Sequence, residues 1–128
     1  MPDYVIATTV SGDFDSTLDR TKEALAENGF GILSEIPVHE TFARKLDVDF
    51  RRYVILGACH APSAHRALTE EESIGVLLPC NVVVFAGKGV THVQAVRPTQ
   101  SLSVTGREDL APLGQEVEHL LAGVIEAL

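Results

Sequence analysis

The chain has 128 residues, 45% of them hydrophobic and 22% charged, which is the size and balance of one globular domain with no room for a second. Its 18 acidic and 10 basic side chains give a formal charge of −8, a surface that repels phosphate backbones and anionic membranes. No apolar run approaches the roughly 18 residues of a membrane span, and Met-Pro-Asp-Tyr-Val lacks the pattern of a signal peptide. The expectation is therefore a soluble cytoplasmic protein, with no nucleic-acid partner and no membrane partner, whose two cysteines are free thiols.

Tyr4 to Val10 is an apolar, β-branched run and reads as the first strand. Asp13 caps the helix that follows, with Asp15 in its first turn. Phe14, Leu18, Thr21 and Leu25 then share one helical face until Asn28-Gly29 stops the helix. Phe30 to Ile36 is the second strand. Pro37 opens a short helical stretch in which Phe42 and Leu46 share a face. Arg52 to Ala58 is the third strand, and Pro62 starts a short helix through about Glu70, with Ala64 and Leu68 on one side.

Glu70-Glu71-Glu72 reads as a solvated charge run in a loop. Asn81 to Ala86 is the fourth strand, and Gly87-Lys88-Gly89 turns it into the fifth, Val90 to Arg97. Pro98 to Gly106 reads as irregular or as one helical turn. Leu110, Leu113, Val117, Leu120, Leu121, Val124 and Leu128 form the apolar stripe of a last helix. The expected fold class is α+β: strand, helix, four strands, helix, with a largely antiparallel sheet and the two long helices on one face.

A sheet with one wet face alternates apolar and polar residues. Tyr53-Val54-Ile55-Leu56 and Val82-Val83-Val84-Phe85 do not alternate. The long helices cover one face, and in a chain this short a second copy is the simplest cover for the other. A homodimer is expected.

Three segments carry a resemblance. Ala24-Leu25-Ala26-Glu27-Asn28-Gly29-Phe30-Gly31-Ile32-Leu33, Tyr53-Val54-Ile55-Leu56-Gly57-Ala58-Cys59 and Gly75-Val76-Leu77-Leu78-Pro79-Cys80-Asn81-Val82-Val83-Val84 resemble the family called domain of unknown function 302. The likeness extends over nearly the whole chain, and Leu-Pro-Cys-Asn is its most specific part. The resemblance implies a strand-helix-four strands-helix domain grouped with the TATA-binding-protein-like folds, a homodimer, and no established activity. The chain looks like the branch with cysteine at both the end of the third strand and the Leu-Pro-Cys-Asn run. It departs from that branch at His60, where Asn is usual, and at Asp47, where Gly often follows the Leu before the third strand.

The residues that could carry chemistry are few. In an antiparallel meander the end of the third strand lies beside the start of the fourth, which brings Cys59 and Cys80 to one sheet edge. Two such thiols suggest a redox pair, a soft-metal site or a nucleophile; equally, free cysteine is a common small core filler. His60 is the only titratable base beside either thiol. Cys59, His60, His65 and Cys80 could in principle supply four zinc ligands, but their spacing fits no compact zinc motif. No metal or cofactor is identified from the residues. His92 and His119 read as solvated, and Glu35 as an edge residue pointing outward. No nucleophile elbow, phosphate loop or dinucleotide fingerprint is present.

Three functions fit these features. The preferred one is a homodimer holding a small ligand or metal in an apolar cleft near Cys59 and Cys80, with His60 beside them. The second is thiol-based redox or sulfur handling by the same cysteines. The third is an accessory interaction protein without small-molecule chemistry.

Overall fold

The computed structural model describes residues 2–128. Strand β1 (Val5–Val10) leads into helix α1 (Phe14–Glu27), whose start is fixed as the sequence predicts: the Ser16 amide donates to Asp13 Oδ1 at 2.7 Å. The chain returns as β2 (Gly31–Pro37), turns into α2 (Val38–Leu46) and enters the sheet again as β3 (Tyr53–Cys59). Helix α3 (Ala61–Glu70) and a 3-10 helix (Glu72–Leu77) bridge to β4 (Cys80–Ala86) and its hairpin partner β5 (Thr91–Val96). Helix α4 (Pro98–Ser103), a 3-10 turn (Glu108–Leu110) and α5 (Ala111–Glu126) complete the chain.

The five strands form one antiparallel sheet in the order β1-β5-β4-β3-β2. Val54, Leu56 and Ala58 of β3, Val82 and Val84 of β4, and Val93 and Ala95 of β5 are buried on one face. Helices α1 and α5 close that face with Phe14, Leu18, Leu25, Val117, Leu121 and Val124. These are the helical stripes the sequence predicts, and they make the main core. A second, smaller core gathers Ala67, Ile74, Leu110 and Leu113, with Leu78 and Leu102 packed against it. It lies under the bridge between β3 and β4.

Several boundaries differ from the sequence reading. Phe30 is not in β2; its amide donates to the Leu25 carbonyl at 2.9 Å and its side chain is buried beneath the helix end. The third strand starts one residue later than expected and runs on to Cys59, and the fourth begins at Cys80 itself. Pro98 to Ser103 is a short helix, with proline in its first turn where no amide partner is needed. The acidic run is not a free loop. Glu70 closes α3, Glu72 opens the 3-10 helix, and Arg107 reaches Glu70 at 3.3 Å, Glu71 at 3.7 Å and Asp109 at 2.6 Å. Glu35 is exposed on the edge strand as expected, and it pairs with Lys22 of α1.

The face opposite the long helices is covered in part by the chain itself. Phe42 of α2 meets Phe50 edge-on at 5.2 Å, Phe50 tilts on Tyr53 at 6.2 Å, Tyr53 stacks on Phe85 at 5.2 Å, and Phe85 stacks on His92 at 4.8 Å. The last two pairs are direct cross-strand neighbours. His92 is thus a half-buried member of an aromatic row rather than a solvated side chain, while His119 is exposed as expected. Asp47 ends α2 with φ 52° and ψ 42°. That left-handed conformation favours glycine, and Asp47 adopts it here.

Candidate functional site

The antiparallel pairing of β3 with β4 puts Cys80 opposite Ala58, the residue before Cys59. The two cysteines therefore occupy neighbouring positions at one end of the sheet, offset by one residue. Neither is in a disulfide, and both are partly buried. Between them the chain folds back as α3 and the 3-10 helix, and this bridge leans toward α4 and α5 without filling the space beneath it. The result is a cavity of about 320 Å³. Ala58 and Cys80 line it from the sheet, Val117 from α5, and Ala64, Ala67 and Leu68 from α3. Leu77, Leu78, Leu102 and Leu113 complete the apolar wall. Small side chains at Ala58, Ala64, Ala67 and Gly75 keep the space open.

The polar groups facing this space are Cys59, His60, Ser63, Cys80 and Ser101. His60 sits at the cap position of α3. Its Nδ1 lies 2.7 Å from Ser63 Oγ, and its ring tilts against Phe30 with centroids 5.6 Å apart. Ser63 is 5% exposed. Its role was not evident in the sequence, although its position three residues after a helix cap is a recognisable spacing for such a bond.

Burial pushes the Cys80 thiol up to about 11 from an ordinary 9.0, and the nearby Cys59 adds to the shift. The thiolate is the nucleophile and the metal ligand, so at neutral pH Cys80 is held in its unreactive form. Nor does the four-ligand zinc set assemble. Among the described residues no group of three or more His, Cys, Asp or Glu side chains is placed to hold a metal ion, and His65 lies on the exposed side of α3. A neighbouring hollow of about 310 Å³, lined by His65, Arg66, Thr69, Glu70 and Asp109, is more polar, and Arg66 there is already paired with Glu116 at 3.3 Å.

The model of the family described as "Domain of unknown function DUF302" matches residues 6–128. The chain belongs to this DUF302 family. The crystal structure of an uncharacterized conserved DUF302 protein from Bacillus stearothermophilus superposes with a TM-score of 0.90 at 28% identity, covering 98% of each chain. No curated protein matches. The structural match supports the five-stranded antiparallel fold with its helices, and a shared fold brings no activity with it. Among the described residues no helix is long and apolar enough to cross a membrane.

The shifted thiol gives a stability prediction. The folded state holds the Cys80 proton more tightly than the unfolded chain does. That contribution is fully present below pH 9 and is lost as pH rises through about 11. A shift of this size is worth about 2–3 kcal/mol. Between pH 8 and 11.5 the wild type should lose that much more unfolding free energy than Cys80→Ser, measured by urea titration. Parallel curves for the two proteins would contradict it.

Proposed function

We propose that this DUF302 domain is a homodimeric binding protein for a small, largely apolar ligand held in the cavity beside Cys80, Cys59 and His60. The cavity itself carries the reading. Its volume of about 320 Å³ falls at the lower end of the range typical of ligand sites, and an apolar wall with a few convergent polar groups is their usual composition. The position also fits, since the cavity opens where strands end and irregular chain begins. The cysteines serve as wall and as polar points of contact. A redox or nucleophilic role is less well supported, because burial keeps Cys80 protonated at neutral pH.

The dimer is supported by the free sheet face. Ile55, Val83, Phe85 and Val96 remain only half-buried there, and Ile36 is exposed. The strand positions of this face, from Val5 and Ala7 through Gln94 to Ser34, hold no charged side chain in a molecule of net charge −8. A second copy is the partner that such a neutral, apolar face suits. Elsewhere two strongly acidic copies repel each other.

A small neutral fluorophore, 1-aminonaphthalene, should bind saturably with a blue shift. Ala64→Phe, which fills the cavity from α3, should weaken that binding about tenfold or more, the effect of losing over 1.4 kcal/mol, while the variant keeps its cooperative melt. Unchanged binding in Ala64→Phe would remove the cavity from consideration.

Light scattering should give about twice the 13.8 kDa chain mass, and Val83→Glu on the open face should give a monomer that still binds the fluorophore. A wild-type mass of one chain would rule the dimer out.

A further inference from the structure

We infer that the ligand of this cavity is an uncharged amphiphile: an apolar body of about ten non-hydrogen atoms carrying a hydroxyl group that donates to Ser63. The inference rests on the reading of the cavity as a ligand site and specifies what that site takes.

Charge is decided first. No Asp, Glu, Lys or Arg lines the cavity. The arginines on the surrounding elements already have partners: Arg97 meets Glu118 at 3.2 Å, Arg66 meets Glu116 at 3.3 Å, and Arg107 is held by Glu70, Glu71 and Asp109. A carboxylate or phosphate seated against the leucines would have no Lys or Arg to pair with, and an ammonium no Asp or Glu. Burying an unpaired charge is far more costly than burying an unpaired hydroxyl. Size follows from the volume. At about 30 Å³ for each water-sized group, 320 Å³ holds on the order of ten non-hydrogen atoms.

The polar group is decided by hydrogen-bond inventory. Ser63 is almost fully buried, and its oxygen has one hydrogen and two lone pairs to place. If it donates to His60 Nδ1, 2.7 Å away, both lone pairs stay vacant. If His60 donates to it, one lone pair stays vacant. In either tautomer the oxygen can accept one further bond. Ser101, the other hydroxyl in the wall, gives its proton to the Pro98 carbonyl at 3.3 Å, so it too offers an acceptor. A ligand that donates a hydrogen bond is satisfied here in every arrangement. At Ser63 a carbonyl ligand finds a donor only when His60 donates to the serine.

The mouth agrees with an apolar body. Leu33, at the irregularity in β2, is 70% exposed, and Leu68 is 37% exposed; both reach the cavity. An apolar molecule entering there meets leucine rather than charge at the rim.

The test is displacement of 1-aminonaphthalene at pH 8 by four probes with the same ten-carbon body: 1-decanol, decanoate, decylammonium and decane. Decanol should compete at concentrations about tenfold or more below decanoate and decylammonium, the discrimination expected for burying a hydroxyl instead of an unpaired charge. Ser63→Ala should weaken decanol severalfold and leave decane unchanged, which also shows that the variant is folded. Decanoate or decylammonium binding as well as decanol, no loss of decanol in Ser63→Ala, or a bound fluorophore that none of the four displaces would overturn the ligand class while the cavity reading stands. A fluorophore that never binds would instead overturn the cavity reading beneath it.

Discussion

The rest of the structure depends on the antiparallel pairing of β3 and β4. Once Ala58 lies opposite Cys80, the chain between them has both ends pinned at one end of the sheet and must arch over it. Helix α3 and the 3-10 helix form that arch, and Ile74, Ala67, Leu110 and Leu113 give it a core of its own. The main core, between the sheet and the long helices, forms independently from Leu25, Leu56, Val82, Val84, Leu121 and Val124. The cavity is the seam between the two. Ala58, Cys80 and Val117 face it from the main core, and Ala67, Leu78, Leu102 and Leu113 face it from the smaller one.

A seam of this kind has physical consequences. Protein interiors are normally packed without voids of this size, and residues lining an empty space give up contact energy. The small residues Ala58, Ala64, Ala67 and Gly75 are what prevent closure. The arch is also tied from outside, by Arg107 gripping Glu70 and Glu71. The thiol of Cys80 belongs to this setting. Burial against an apolar wall raises its pKa and keeps it protonated at neutral pH.

The fold was largely legible in the sequence, for reasons that differ by element. The stripe through Leu113, Val117, Leu121 and Val124 and the run Val82 to Phe85 are long and strongly patterned, so local signal alone identifies them. Short elements were less legible. Pro98 to Ser103 is rich in serine and threonine, poor helix formers, and its six residues hold together because Thr99 hydroxyl and amide both donate to Glu118 of α5, at 2.6 and 3.1 Å. The nearness of Cys59 and Cys80 could be read from strand order. The walls of the apolar cleft expected beside them could not, since they come from the sheet and from α3, α4, α5 and the 3-10 helix together. The burial that Tyr53 and Phe85 require is met partly within the chain, by a row of rings whose alignment appears only once the register is known.

The central claim is that the seam between the two cores is the place where a ligand sits, and chemical-shift mapping tests it most directly. With 1-decanol added to isotopically labelled protein, amide shifts should move on both sides of the seam, at Ser63 and Ala67 of the arch and at Cys80 and Val117 of the main core. Amides of the free sheet face, at Val83 and Gln94, should stay in place. Shifts confined to that open face, with Ser63, Ala67, Cys80 and Val117 unmoved, would contradict the account.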